Sequence, residues 1–310
     1  MMEKDAKIYV AGHRGMAGQA ICRELYNRGY TNIIGRTSRE LDLRNQSAVQ
    51  HFFQEEKPEC VILAAAKVGG IMANIQAPAE FLYDNLMIEA NIIHNTYRCG
   101  ASKLLFLASS CIYPRNAPQP MKEEYLMTGK VEPTNEGYAI AKIAGMKLCE
   151  MYNKQYHTDF ISVMPCNLYG YGDNFDPIRS HVVPALIRRF HEAKNEGASE
   201  VVIWGTGKAR RELLFAEDMA QACVFLLENY SGNDFFNIGT GQDVSIAELA
   251  TVIAEVVGYH GKIHFDATKP DGMPQKLLDV EKLTQYGWKC KTELRDGLQK
   301  TYDWFLRNVT

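Results

Sequence analysis

Residues 7–18 read KIYVAGHRGMAG, in which an apolar run is followed by three regularly spaced glycines. The apolar run Lys7–Ala11 predicts a buried strand, and Met16–Arg28 predicts the helix that follows it. Glycines between a strand and a helix permit a tight turn and a close approach of the backbone to a pyrophosphate, which the first N–H groups of the helix would face. This segment therefore predicts a dinucleotide-binding βα unit. The predicted cofactor contacts within it are Gly12, Arg14, Gly15, Met16 and Gly18.

The alternation of strand and helix patterns continues to residue 165. Further buried strands are predicted near Asn32–Gly35 and over Cys60–Ala65, Lys103–Ala108 and Asp159–Pro165. Helices are predicted over Asn45–Glu55 and Pro78–Cys99, and a third carries Tyr138 and runs to about Gln155. Strands that alternate with helices form a parallel sheet covered by helices. We therefore predict an α/β fold with a doubly wound parallel sheet of the Rossmann type over residues 1–165.

The elements after Pro165 are shorter and less regular. Helices are predicted over residues 180–195, Ala216–Glu228, Ser245–Val257 and Thr292–Asn308, and strands over Glu200–Trp204, Leu213–Phe215, Phe235–Gly239 and Ile263–Phe265. We expect residues 166–310 to form mainly a smaller α/β substrate-binding lobe, with some segments returning to the main sheet.

Composition limits the classes of partner. The chain has 310 residues and a formal net charge of −3, which argues against nucleic acid or an anionic membrane as the main partner. No apolar run approaches the roughly 18 residues of a membrane span, and the polar N-terminus leaves no room for a signal peptide. The 8 cysteines are scattered without a C-x-x-C pair, which favours reduced thiols in a cytoplasmic protein and no metal site.

The residues after the second predicted strand indicate which dinucleotide binds. NAD enzymes usually place an acidic residue there to hold the ribose 2′-hydroxyl, whereas this chain has Arg36-Thr37-Ser38-Arg39. Guanidinium groups suit a 2′-phosphate, so Arg36, Ser38 and Arg39 favour NADP. The alternative is a solvated basic turn, because Glu40 follows immediately.

Tyr138 and Lys142 are four residues apart in a predicted helix, so both side chains project from one face. A lysine ammonium close to a phenol would lower the phenol pKa toward neutrality, giving a proton donor for carbonyl reduction. This motif alone is weak evidence for catalysis.

Ser109-Ser110-Cys111 follows the fourth predicted strand, where ligands bind in doubly wound sheets, so its hydroxyls and thiol should face the cofactor crevice.

With Gly12-x-x-Gly15-x-x-Gly18, Ser109 and Tyr138-x-x-x-Lys142 in this order, the chain resembles the extended short-chain dehydrogenase/reductases that act on sugar nucleotides. Five stretches resemble the NADPH-dependent members that act on GDP-4-keto-6-deoxy-D-mannose. They are AAAKVGGI (64–71), SSCIYP (109–114), NEGYAIAK (135–142), SHVVPAL (180–186) and KPDG (269–272). The resemblance runs nearly end to end. It implies an epimerase that inverts carbons 3 and 5 of the sugar and then reduces the 4-keto group.

The resemblance also implies roles for single residues. Tyr138 would donate a proton to the sugar oxygen, Lys142 would support it and bind the ribose, and Ser109 would hydrogen-bond the carbonyl. Cys111 and His181 would act as base and acid of the epimerisation, and which is which stays open. Further cofactor contacts are implied for Leu107, Ala108, Lys142, Pro165, Cys166, Asn167, Leu168 and His181. Substrate contacts are implied for Arg189, Trp204, Arg211 and Asp271.

Simpler interpretations exist for several of these residues. Cys111 is also compatible with a small buried filler, and His181 with a locally bonded residue at a helix start. Arg211 beside Arg210 could be a solvated charge pair, and Trp204 a core aromatic residue.

Other activities on this scaffold need different residues. A sugar-nucleotide 4,6-dehydratase would need an acidic pair where Cys111-Ile112 stands, and dehydratases and 4-epimerases tend to keep NAD bound. A catalytically silent NADP-binding module would typically lack the tyrosine or lysine. The resemblance further implies a homodimer in which the Pro78–Cys99 and Tyr138–Gln155 helices form a four-helix bundle with their copies.

Overall fold

The computed structural model describes residues 2–177, 180–269 and 271–310. The strands, in chain order, are β1 (Ile8–Ala11), β2 (Ile33–Ile34), β3 (Cys60–Leu63), β4 (Lys103–Leu107), β5 (Phe160–Pro165), β6 (Asn167–Tyr169), β7 (Glu200–Trp204), β8 (Arg210–Phe215), β9 (Phe235–Ile238), β10 (Asp243–Ser245), β11 (Lys262–Asp266) and β12 (Gln275–Lys276). The helices are α1 (Met16–Asn27), α2 (Gln46–Glu56), α3 (Ile71–Gln76), α4 (Pro78–Arg98), α5 (Glu136–Tyr156), α6 (Val182–Asn195), α7 (Ala216–Asn229), α8 (Ile246–Val257), α9 (Glu281–Tyr286) and α10 (Leu294–Asn308).

The main sheet has six parallel strands in the order β2-β1-β3-β4-β5-β9. β1, β3 and β5 are buried along their whole length, as expected of parallel strands covered on both faces. Helix α4 packs on α5 and helix α1 on α7, and both α5 and α7 contact β4 and β5. The predicted doubly wound parallel sheet is confirmed. The strand order reverses between β1 and β3, and in such sheets the crevice at the carboxyl ends beside this point binds ligands.

A second hydrophobic core lies among α6, α8, α10 and the strands β7, β8 and β11. Its fully buried side chains include Phe190, Leu249, Ile253 and Leu298. The strands around it form a β10-β8-β12 sheet that β6 joins, and a parallel β7–β11 pair. β9 pairs with β5 in the main sheet, and α7 packs in the main core although both follow residue 165.

The start of β8 differs from the expected strand Leu213–Phe215. The strand begins three residues earlier because Arg210 and Arg211 pair with Ser245 and Val244 of β10 on one side. On the other side the same two arginines pair with Gln275 and Lys276 of β12. Two consecutive arginines gave no strand signal in the sequence, and the tertiary pairing supplied the stabilisation.

None of the helices in the described part of the chain is long and apolar enough to cross a membrane.

Candidate active site

A cavity of about 1440 Å³ opens at the carboxyl ends of the main-sheet strands and extends to the segments after residue 165. Every residue that the sequence predicted as catalytic, cofactor-binding or substrate-binding lines this cavity. The predicted residues come from β4, β5, β6, β7, β8, α1, α5 and α6 and their loops, so only the folded chain brings them together.

The backbone of the glycine-rich loop is packed too closely for side chains at two of its glycines. Gly12 has a φ of +87°, and a Cβ there would lie 2.7 Å from the backbone nitrogen of Ala65. A Cβ at Gly18 would lie 2.1 Å from the carbonyl oxygen of Gly12. Helix α1 begins after Gly15 without a side-chain cap, so its first N–H groups are available to a pyrophosphate.

The arginines near the second strand differ in their availability. The Arg36 guanidinium lies 2.5 Å from a carboxylate oxygen of Glu56 and is therefore paired within the protein. Arg14 and Arg39 form no ion pair among the described residues and line the cavity. The Glu40 carboxylate accepts hydrogen bonds from the backbone N–H and the hydroxyl of Thr37, at 2.7 and 2.8 Å. The basic turn thus keeps cationic groups that suit a 2′-phosphate.

The Tyr138–Lys142 pair lies on α5 beside the end of β4. The Lys142 ammonium donates to the Leu107 carbonyl oxygen at 2.9 Å and lies 5.8 Å from the centre of the Tyr138 ring. Its buried counter-ion is Glu89 on α4, with 3.2 Å between the Lys142 Nζ and a carboxylate oxygen.

The protonation of Tyr138 differs from the sequence-based expectation. Burial raises the pKa of Tyr138 well above its ordinary value, and the Cys111 and Glu89 charges raise it further, while a Ser109 hydrogen bond opposes them. The expected lowering of this pKa by Lys142 is therefore wrong here, because burial of the phenol outweighs it and Glu89 offsets the ammonium charge. The phenol is protonated at neutral pH, which is the state that a proton donor requires.

Cys111 lies in a short 3-10 turn, Ser110–Ile112, directly after β4. Its backbone N–H donates to the Ser109 hydroxyl oxygen at 3.4 Å. Burial raises the pKa of the Cys111 thiol, and the Lys276 ammonium, the Ser109 hydroxyl and Lys142 act in the opposite direction. A thiol in this position can give up its proton only with the help of these neighbours.

His181 stands at the position before helix α6 and makes no capping hydrogen bond to that helix. The residue is exposed on the cavity lining, and the neighbouring walls partly desolvate its ring. This desolvation lowers the pKa of His181, and the Lys276 ammonium lowers it further. The imidazole is therefore neutral at physiological pH and can accept a proton.

Lys276 lines the same cavity and was not predicted from the sequence. It lies opposite Arg211 in the β8–β12 register. Burial lowers the pKa of Lys276, and the Cys111 charge raises it. No signal could have identified this residue, because β12 is only two residues long and follows a turn-rich loop.

The far end of the cavity carries the predicted substrate contacts. Trp204 has 67% of its surface exposed, so it is not a core aromatic residue. Arg189 donates to the Val202 carbonyl oxygen at 2.8 Å. The Asp271 carboxylate accepts from the backbone N–H and the hydroxyl of Thr206, at 2.6 and 2.7 Å.

Arg211 is less exposed than Trp204. It donates to the Met273 carbonyl oxygen at 2.7 Å. Burial lowers the pKa of Arg211, which is therefore not part of a solvated charge pair, and its neighbour Arg210 pairs with Asp243 at 2.8 Å. Pro270, within the KPDG stretch, lies outside the described residues.

The parallel sheet, the glycine-rich turn and the tyrosine–lysine pair together define a dinucleotide-dependent oxidoreductase or epimerase. Residues 8–239 match the NAD dependent epimerase/dehydratase family, and the chain belongs to this family. Within it, the relatives that match along nearly the whole chain include GDP-L-fucose synthases.

GDP-L-fucose synthase 1 of Arabidopsis thaliana is 59% identical over 309 residues, which cover 100% of this chain and 96% of the relative. GDP-L-fucose synthase of Escherichia coli (strain K12) is 54% identical, with 97% of each chain covered. Among solved structures, a GDP-mannoheptose C4 reductase of Campylobacter jejuni with NADP bound is 42% identical, with a TM-score of 0.92. That comparison covers 99% of this chain and 100% of the reductase.

Proposed function

We propose that this cavity converts GDP-4-keto-6-deoxy-D-mannose to GDP-L-fucose with NADPH, by epimerisation at carbons 3 and 5 followed by reduction of the 4-keto group. The observation that carries the proposal is the placement of Cys111 and His181 in one cavity with the Tyr138–Lys142 pair. The 54–59% identity to GDP-L-fucose synthases along the whole chain supports the same substrate.

The epimerisation uses the acidity of protons on carbons beside a ketone. Removal of such a proton gives an enolate, and return of a proton to the opposite face inverts the carbon. Cys111 and His181 serve as base and acid: the neutral imidazole can take up a proton, and the thiol can give one up with the help of Lys276, Ser109 and Lys142. Each such proton transfer is worth about 10²–10⁴-fold in rate. Ser109 and Tyr138 donate hydrogen bonds to the enolate oxygen.

The reduction then removes the ketone and fixes the new stereochemistry. NADPH, when bound, supplies the hydride to carbon 4. Tyr138 gives its proton to the oxygen of carbon 4, for which the raised pKa of this buried phenol keeps it protonated. Lys142, held by the Leu107 carbonyl, has a further N–H for the ribose.

The two ends of the cavity bind the two nucleotides. NADP lies along the glycine-rich loop, with Arg14, Arg39 and Ser38 at its 2′-phosphate and Arg36 behind them. Its remaining contacts are Gly12, Gly15, Met16, Gly18, Leu107, Ala108, Lys142, Pro165, Cys166, Asn167, Leu168 and His181. The GDP moiety lies at the other end, where the exposed Trp204 ring offers a face to the base and Arg189 and Arg211 offer cations to the phosphates, with Asp271 beside them.

We also propose that the protein works as a cytoplasmic homodimer. Helices α4 and α5 expose Tyr83, Ile140, Met151 and Tyr156, with 42–62% of each residue exposed, and these apolar side chains would be covered by a second copy. All 8 cysteines are free thiols, which suits a reducing compartment. Sedimentation in dilute solution tests the assembly, and a monomer mass would refute it.

The substrate assignment is tested by incubating the purified full chain with GDP-4-keto-6-deoxy-D-mannose and either NADPH or NADH. We expect NADPH to be consumed faster, and NMR spectroscopy of the product to show the inverted configuration at carbons 3 and 5. A product reduced at carbon 4 but retaining the original configuration at carbons 3 and 5 would mark the protein as a simple ketone reductase.

A further inference from the structure

Glu89 is a buried carboxylate in the middle of α4, on the side that packs against α5. Only 1% of the residue is exposed. One of its carboxylate oxygens lies 3.2 Å from the Lys142 ammonium, and both side chains are 2% exposed. The ion pair therefore connects the face of α5 that carries Tyr138 and Lys142 to helix α4.

The helix packing leaves room for this carboxylate at one specific position. A Cβ at Gly145, three residues after Lys142 on α5, would lie 2.6 Å from the second carboxylate oxygen of Glu89. The same Cβ would lie 2.7 Å from the Phe106 ring. Glycine is unfavourable inside a helix, so its presence here is explained by the approach of Glu89 and of the Phe106 ring.

The Glu89 carboxylate makes few polar contacts besides the ion pair with Lys142. Apart from the ion pair with Lys142, neither oxygen of Glu89 has a hydrogen-bond partner among the described residues. A buried ion pair with so few hydrogen bonds contributes little to stability compared with apolar side chains of similar size. The arrangement therefore points to a role of Glu89 in the reaction of the Tyr138–Lys142 pair.

The groups that interact electrostatically with Glu89 lie on α5. Burial raises the pKa of Glu89 to about 7, and Lys142 opposes this shift. The Glu89 charge also raises the pKa values of Tyr138 and Cys149.

The other elements that pack on α4 direct their titratable groups elsewhere. α3 contains no titratable side chain. On α2, His51 pairs with Glu55, and Glu56 pairs with Arg36 and Lys7. On β3, Cys60 interacts with Lys103, Asp159 and Glu59.

We propose that Glu89 is a positioning residue for the ketone reduction: it fixes the Lys142 ammonium and offsets its charge, so that Tyr138 stays protonated until the alkoxide forms. This proposal rests on the function proposed above. Without Glu89, the uncompensated ammonium favours the Tyr138 phenolate, which cannot donate a proton. Glu89 itself touches neither nucleotide.

The test compares Glu89→Gln with the wild-type full chain by measuring kcat for NADPH oxidation with GDP-4-keto-6-deoxy-D-mannose, from about pH 6 to about pH 10. Glutamine keeps the shape of the side chain and removes its charge. We expect the wild type to keep its activity to the upper end of this range, because burial holds the pKa of Tyr138 well above its ordinary value. Glu89→Gln should lose activity at lower pH than the wild type, since the pKa of Tyr138 falls. The matched control is Glu150→Gln, which removes a carboxylate from the outer side of α5, where it pairs with Lys147 and Lys154. We expect its profile to superimpose on that of the wild type.

A second variant covers the case in which Glu89→Gln does not fold. Gly145→Ala keeps every charge but displaces the carboxylate from Lys142, and we expect a shift in the same direction. A profile unchanged in both folded variants, or a loss of kcat that is equal at every pH, would overturn the role of Glu89. If the wild type itself fails to oxidise NADPH with this substrate, the proposed function is wrong and the role of Glu89 falls with it.

Discussion

Gly18 lies so close to Gly12 that a Cβ on Gly18 would stand 2.1 Å from the Gly12 carbonyl oxygen. Gly12 belongs to the loop that faces the cavity and Gly18 to the first turn of α1, so neither can move aside without changing how the loop joins the helix. The contact fixes the curvature of the turn between β1 and α1, and with it the direction of the first N–H groups of α1.

Gly18→Ala should therefore impair cofactor binding. The forced displacement of the loop should cost about 1–3 kcal/mol of stability, as overpacking does. We expect NADPH affinity to fall by more than about tenfold, or roughly 1.4 kcal/mol. Fluorescence titration with NADPH measures the affinity. Gly70→Ala is the control, because a Cβ there meets no atom within 4 Å, and it should bind NADPH as the wild type does. Equal affinity in both variants would contradict the binding of NADPH by the glycine-rich loop.

Cys111→Ala should separate the two chemistries. Without the thiol, uptake of deuterium from deuterated water at sugar carbons 3 and 5 should fall by about 10²–10⁴-fold. Direct reduction of the ketone should survive, because Tyr138 and Lys142 keep their places. NMR spectroscopy of the recovered sugar follows the exchange, and absorbance follows NADPH. Undiminished exchange would exclude Cys111 from the epimerisation.

Tyr138→Phe should give the converse result. Loss of the hydroxyl removes the proton donor to the oxygen of carbon 4, so NADPH oxidation should drop by about 10²–10⁴-fold. Some deuterium exchange should remain, because Cys111 and His181 are intact and Ser109 still donates to the enolate oxygen. If reduction continues at the wild-type rate, another group must protonate the alkoxide.

Lys276→Met should change the pH dependence of the exchange. A thiol must lose its proton to act as a base, so the exchange rate rises with pH as Cys111 ionises. The Lys276 ammonium lowers the pKa of Cys111, and its removal should raise this pKa and move the rise in rate to higher pH. Lys130→Met, on the exposed surface, should leave the profile in place. A profile that does not move in Lys276→Met would rule out this electrostatic support.

Trp204→Ala should weaken substrate binding and leave the fold intact. The ring is 67% exposed, so its loss removes little from the core. Stacking of a base on an aromatic ring is worth about 1–3 kcal/mol, so KM should rise by about tenfold or more at nearly unchanged kcat. Val202→Ala, the other exposed large apolar residue of β7, is the control and should keep the wild-type KM. An unchanged KM in Trp204→Ala would place the base elsewhere.

The main sheet could be predicted from the sequence because its strands are continuous apolar runs. Cys60–Leu63 and Phe160–Pro165 are buried on both faces, and the helices between the strands show clear helical periodicity. The shorter elements gave no such signal. α3, β6, β10, β12 and α9 have two to six residues each, which is too short for a periodic pattern to stand out.

The cavity could be predicted where a motif coincides with a strand end or a helix start, as at Ser109 and Tyr138. Its electrostatics could not, because they depend on residues brought together by folding. Glu89 looks like one polar residue in an amphipathic helix, and only the packing of α4 on α5 places it against Lys142. The sequence carried one signal for this placement. Glu89 lies four residues after Asn85 and four before Ile93, so it shares the buried face of the helix with them. The raised pKa of Tyr138 likewise follows from its burial in the folded chain and from the charges of Cys111 and Glu89.

We propose that one cavity epimerises two carbons of the sugar and then reduces the ketone between them. The most direct measurement is the turnover of GDP-4-keto-6-deoxy-D-mannose by the wild type in deuterated water with NADPH, with deuterium counted at each carbon of the product. We predict deuterium at carbons 3 and 5 and a hydrogen from NADPH at carbon 4 in every molecule of product. NADPH oxidation without deuterium at either carbon would contradict the claim.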